Sequence, residues 1–230
     1  MTTVRLKASD GFECPAYVAQ PKGKPKGAVV VIQEIFGVNP HIREVADGYA
    51  ASGYFAIAPA MFHRAKHGVE LGYTPDDMQA GMTLKAAIEA LPNMAFMADV
   101  QAAVKYAHQT TGAKVGIVGY CWGGLLTWRA AALVEGLSAA VPYYGGGSTT
   151  SEEIARQPHS HCPVMAHYAK QDHWIGLDTV DAFAKAHPEV AVHLYEADHG
   201  FNCDHRGSYQ KASADLARER TLAFFEEHLA

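Results

Sequence analysis

An α/β architecture is what this sequence predicts: an open, mostly parallel eight-stranded sheet with an N-terminal antiparallel hairpin and helices on both faces. Three observations carry that prediction. Residues 4–8 and 12–19 alternate in polarity around Asp10-Gly11, a dipeptide that accepts the positive φ angles of a tight turn, so they read as an antiparallel pair. From AVVVI at 28–32 onward the strands become continuous apolar runs, the pattern of strands buried on both faces. Helical periodicity lies between those runs, and βα alternation yields parallel strands wrapped by helices.

Taken in order, AVVVI (28–32) leads to a helix near 41–52, and YFAIA (54–58) leads to helices near 76–91 and 94–109. KVGIV (114–118) runs into a helix at 122–135, followed by strands SAAVPYY (138–144) and PVMAHYA (163–169). A helix near 178–186, the strand VAVHLY (190–195) and a closing helix at 208–228 complete the chain. The punctuated stretch QPKGKPKG (20–27) is too short to divide domains and reads as a turn, so residues 1–230 are expected to form one domain.

Composition narrows the function classes. A formal net charge of −5 without a basic block leaves no electrostatic footprint for nucleic acid or an anionic membrane, which points to a small-molecule substrate and no nucleic-acid or membrane partner. The N-terminal MTTVRLKASDGFEC has no apolar leader core, and no run of about 18 apolar residues occurs, so a cytoplasmic chain is expected, as a monomer or small homo-oligomer. Cys14, Cys121, Cys162 and Cys203 lie far apart without a C-x-x-C spacing, which argues for free thiols rather than a disulfide framework.

In an open α/β sheet, ligands bind outside the carboxyl ends of the strands, so the loops after strands are where chemistry is expected. Gly119-Tyr120-Cys121-Trp122-Gly123 is a G-x-C-x-G elbow between strand and helix. Glycines flanking residue 121 let the helix pass close to the strand, and the helix N-terminus favours an anion at the central side chain. Cys121 is therefore the candidate nucleophile. A thiol nucleophile needs a base and the base an orienting acid; His199 in YEADHGF and Asp172 in YAKQDHW follow later strands in the required order. Asp178 and Asp198 compete with Asp172, but the first falls inside a helical pattern and the second adjoins His199 too closely to orient the far ring nitrogen.

QEIFGVN (33–39), GYCWGG (119–124), QDHW (171–174) and DHGFNCD (198–204) together resemble the dienelactone hydrolase family, also called carboxymethylenebutenolidases, over essentially the whole chain. The resemblance implies an α/β-hydrolase fold and a cysteine-dependent hydrolase that cleaves a lactone or ester through a thioester acyl-enzyme, with no cofactor. It matches Cys121, Asp172 and His199 to the family triad and Glu34 to the glutamate of its Q-E-I-F-G loop, against which the resting thiol keeps its proton until substrate displaces the carboxylate. In this fold the loop after the third strand donates one backbone N–H to the oxyanion hole, so Ile35 and Trp122 N–H are the expected pair. Without the resemblance, Glu34 reads as a loop carboxylate paired with Arg43.

The resemblance is incomplete in one respect. Family members that act on dienelactone hold its carboxylate with two arginines, yet YTPDDMQAGMTLKAA (73–87) contains none. Arg206, beyond the NCDH insertion, and Arg64, with Lys66 beside it, are the candidates left for substrate binding. A general thiol esterase or thioesterase without preference for an anionic lactone is the alternative reading. His199, Cys203 and His205, and the HSHC run at 159–162, could instead ligate a metal. Zinc sites use tighter, repeated ligand pairs and the first cluster overlaps the expected catalytic loop, so no metal is expected. A catalytically silent binding protein on the same fold is disfavoured by the complete triad.

Overall fold

The computed structural model describes residues 2–230. Met1, the first residue of the expected domain, lies outside them. One eight-stranded sheet runs through the chain: β1 (Thr2–Lys7), β2 (Glu13–Ala19), β3 (Ala28–Ile32), β4 (Phe55–Pro59), β5 (Val115–Tyr120), β6 (Leu137–Tyr143), β7 (Met165–Ala169) and β8 (Ala191–Tyr195). The strand order is β1-β2-β4-β3-β5-β6-β7-β8; β1/β2 and β2/β4 pair antiparallel and the rest parallel. The hairpin turns at Gly11, whose φ of 85° supplies the left-handed conformation expected there.

The helices are α1 (Pro40–Ala51), α2 (Pro75–Glu89), α3 (Met97–Thr111), α4 (Trp122–Leu133), α5 (Ser151–Ile154), α6 (Leu177–Ala186) and α7 (Lys211–Leu229). Both faces of the sheet are covered, and β5 shows how. A Cβ on Gly116 would press into Phe225 of α7, whereas one on Gly119 would overlap the carbonyl of Gly123 in α4. Residues three apart on a strand point to opposite faces, so α7 and α4 lie on opposite sides. The strands between them are dry: every residue of β3, β4 and β5 is buried. That burial is why their sequences read as unbroken apolar runs.

Two short elements were not anticipated. A 3₁₀ turn at Pro92–Met94, with Asn93 and Met94 at positive φ, separates α2 from α3, and α5 is a single turn. Neither is long enough to show a period. The parallel strands bring four carboxyl-terminal loops to one edge: Glu34 follows β3, Cys121 follows β5, Asp172 follows β7 and His199 follows β8.

Candidate active site

The elbow is built from glycine clearances. Besides the overlap at Gly119, a Cβ on Gly123 would overlap the carbonyls of Ile32 and Gln33, and one on Gly124 the carbonyl of Tyr143. Helix α4 therefore starts in contact with β3, β5 and β6, and no larger residue fits at those three positions. Cys121 occupies the corner with φ 56° and ψ −118°. A non-glycine residue there stores about 1–3 kcal/mol of backbone strain, and strain of that size is typical of a position kept for function. The strained residue is anchored by its own N–H to Tyr143 O (3.1 Å), while its carbonyl accepts Gly124 N–H (2.9 Å).

His199 is 7% exposed and presents Nδ1 to Asp172 Oδ2 at 2.8 Å. Asp172 is itself fixed, because its Oδ1 accepts the N–H groups of Trp174 (2.8 Å) and Ile175 (3.2 Å) at the turn into α6. The competing acids are elsewhere. Asp198 Oδ1 accepts the backbone N–H of His199 rather than its ring, and Asp178 lies in the first turn of α6. Burial alone drives His199 toward its neutral form, but attraction to the Cys121 sulfur and the hydrogen bond with Asp172 outweigh it and raise the pKa to about 10.

Glu34 is 1% exposed, and its partner is Arg206: Nη1 donates to Oε1 at 3.1 Å, and Oε2 has no partner among the described residues. Arg43, the other partner considered for Glu34, instead bridges to Glu70 (2.7 Å) and donates to Val38 O (2.8 Å). The loop that carries Glu34 is held by buried Gln33, which accepts Met61 N–H (3.0 Å) and donates to Glu34 O (3.2 Å). Among the described residues no protein acceptor takes the N–H of Ile35 or of Trp122, the two expected oxyanion donors.

Cys121, His199, Arg206, Ile35 and Trp122 all line one cavity of about 300 Å³. Its other walls are Phe36, Met78, Met82, Lys85, Gly146, Gly147 and Trp174. Most of this lining is apolar. Arg64 is not part of it: the guanidinium grips Asp99 through Nε (2.7 Å) and Nη2 (2.8 Å), bridges to Asp10 (2.7 Å) and covers the Phe12 ring. The structure thus places Arg64 away from the cavity expected for substrate binding and in a structural network, with all three guanidinium nitrogens engaged.

Sequence reasoning missed several cavity residues. Lys85 lies in the segment noted for lacking arginine, and its Nζ contacts Glu89 at 2.6 Å. Met78 and Met82 share its helix, where spacing alone could have placed all three on one face. Tyr144, outside the cavity lining and at φ 35°, packs edge-on against the His199 ring at 5.1 Å, and its buried hydroxyl has no partner among the described residues. No local pattern announced it. The suggested grouping of His199 with Cys203 and His205 is also rearranged. His205 joins His41, Glu44 and Asp204, and Cys203 lies with Glu34 and His41. No helix among the described residues is long and apolar enough to cross a membrane.

With this geometry in hand, comparison with known proteins is specific. The model of the dienelactone hydrolase family matches residues 14–229. A carboxymethylenebutenolidase of Pseudomonas putida is 33% identical over 227 residues, covering 96% of this chain and 94% of that protein. A crystal structure from Klebsiella pneumoniae subsp. pneumoniae MGH 78578, provisionally described as a dienelactone hydrolase, superposes with a TM-score of 0.81 at 31% identity over 99% of both chains. A dienelactone hydrolase-like promiscuous phosphotriesterase from metagenomic libraries has the same fold, with a TM-score of 0.80 at 21% identity over 100% of this chain and 99% of that one.

Proposed function

The chain belongs to the dienelactone hydrolase family and is a hydrolase acting on esters or lactones; from that premise we propose that it works through a thioester on Cys121, gated by Glu34 and Arg206. The observation that carries the reading is the Arg206–Glu34 ion pair, whose arginine lines the same cavity as Cys121 and whose second carboxylate oxygen has no partner among the described residues. A substrate carboxylate entering the cavity competes for Arg206 and frees Glu34, which then takes the Cys121 proton. Sγ attacks the ester or lactone carbonyl, and the developing oxyanion is met by the Ile35 and Trp122 N–H groups.

The carbon–oxygen bond then opens, and the leaving oxygen takes a proton from imidazolium His199. Acylation also discharges the sulfur. His199 loses the attraction that raised its pKa, burial takes over, and the ring becomes the neutral base that deprotonates the deacylating water. Hydroxide adds to the thioester carbonyl, the carbon–sulfur bond breaks, product leaves as the carboxylic acid, and the released Cys121 thiolate takes back the proton held by Glu34. The apolar walls suit a substrate with an unsaturated or aromatic body. A panel of carboxylated and neutral esters and lactones, with intact-mass detection of the acylated Cys121 peptide in His199→Ala, tests the reading. Equal turnover of both substrate types would favour the general thiol esterase, and acylation at any other residue would remove the mechanism.

A further inference from the structure

A second concentration of ionisable side chains takes no part in that chemistry. His41 and Glu44 lie one turn apart on α1, where residues at i and i+3 share a face. Asp204 and His205 are neighbours in the turn after His199. One donor atom from each of the four lies within 4.8 Å of the other three. His41 Nδ1 is 3.2 Å from Asp204 Oδ1, and His205 Nε2 is 2.9 Å from Glu44 Oε2 and 3.9 Å from Asp204 Oδ1. Imidazole and carboxylate atoms about 2.0–2.2 Å from a tetrahedral ion stand about 3.3–3.6 Å apart, so these separations bracket the spacing that a bound ion requires.

Two surface ion pairs would explain the exposed members, but they do not explain His41. Its side chain is 3% exposed, its Nδ1 faces Asp204, and its Nε2 is buried with no partner among the described residues. An ion at Nδ1 fixes the ring proton on Nε2, and a ligating histidine commonly donates that N–H to a carboxylate. One carboxylate lies nearby, though no hydrogen bond joins it to the ring. A ring nitrogen of His41, a carboxylate oxygen of Glu34 and Sγ of Cys203 lie within 4.8 Å of one another, and Glu34 Oε2 is likewise buried without a partner.

We propose that His41, Glu44, Asp204 and His205 bind one divalent transition-metal ion, best matched by zinc, and that His41 relays its presence inward to Glu34. Two neutral imidazoles and two carboxylates give a donor set of net charge −2, suited in type and number to a tetrahedral dication. The ion ties α1 to the turn that carries Arg206. The relay rests on the proposed role of Glu34; the ion site does not.

Chelator-stripped Cys121→Ala protein is titrated with zinc chloride, so that the nucleophile cannot compete for the ion. One equivalent should bind, and cobalt(II) should give the visible bands of a tetrahedral ion without a sulfur-to-cobalt charge-transfer band. His205→Ala and Asp204→Asn, both on exposed side chains, should each weaken zinc roughly 10-fold or more while the zinc-free melting temperature stays put. Absence of stoichiometric binding, unchanged affinity in both variants, or a sulfur band pointing to Cys203 overturns the site. For the relay, zinc should alter turnover in protein with Cys121 intact and spare the His205→Ala variant. Equal effects in both would assign the change to Cys121 and overturn the relay, as would unaltered turnover at saturation. Affinity is read without turnover, so failure of the thioester mechanism would leave it standing.

Discussion

Arg206 Nη1 and Glu34 Oε1 meet at 3.1 Å across 172 residues of sequence; both side chains are largely buried, and Arg206 shares its cavity with Cys121. This pair joins substrate recognition to activation of the nucleophile. Arg206→Ala should therefore do more than raise KM for carboxylated substrates. With Glu34 already released, the discrimination between carboxylated and neutral esters should fall by roughly 10-fold or more, the scale of a lost charge-assisted contact. Steady-state kinetics on matched ester pairs measures it; an unchanged preference would separate Arg206 from substrate recognition.

Glu34→Gln should slow acylation more than deacylation, whereas His199→Ala should impair both. Single-turnover kinetics resolves the two steps. A companion measurement uses a small alkylating agent: free wild type should react slowly, and a non-hydrolysable carboxylate bound at Arg206 should speed the reaction. Fast alkylation of the free enzyme would mean that the sulfur is ionised at rest.

Cys121→Ala should lower turnover by roughly 10⁴-fold or more, in line with removal of a covalent nucleophile. Cys121→Gly should be equally inactive yet more stable by about 1–3 kcal/mol, because φ 56° with ψ −118° is strained only for a residue with a Cβ. Chemical denaturation of the two variants compares them directly.

The His199 pKa gives a pH signature. A histidine raised from 6.5 to about 10 in the folded state adds stability that is complete below 6.5 and is lost as pH rises through about 10. The melting temperature of wild type should therefore fall relative to Asp172→Asn between pH 6.5 and 10, since asparagine removes the carboxylate charge that helps hold the proton on His199. Parallel curves would contradict the coupling.

Arg64→Ala should leave the ratio of carboxylated to neutral turnover unchanged while destabilising the fold by about 3–5 kcal/mol, the usual consequence of stranding a buried partner such as Asp99. Arg64 marks the boundary of what the sequence disclosed. Sheet, elbow and the order of Cys121, Asp172 and His199 were readable because each rests on local pattern: unbroken apolar strands, flanking glycines, loops after strands. A cation's partner is not local. Asp99 lies 35 residues from Arg64 and is brought to it only by tertiary packing. Arg206 shows the converse: successive turns, with Cys203 N–H on Gly200 O (2.9 Å) and Arg206 N–H on Cys203 O (3.1 Å), fold the insertion back so that the guanidinium reaches Glu34. No spacing rule encodes that return.

Trp174 stands at the cavity rim with 68% of its surface exposed, whereas Trp122 and Trp128 are buried. The three indoles therefore report on different surroundings. Iodide in solution can collide with the first and not with the others, which makes collisional quenching of tryptophan emission a gauge of the cavity mouth alone. A ligand seated over Cys121 should shield that one fluorophore, giving an occupancy assay that needs neither a chromogenic substrate nor a label.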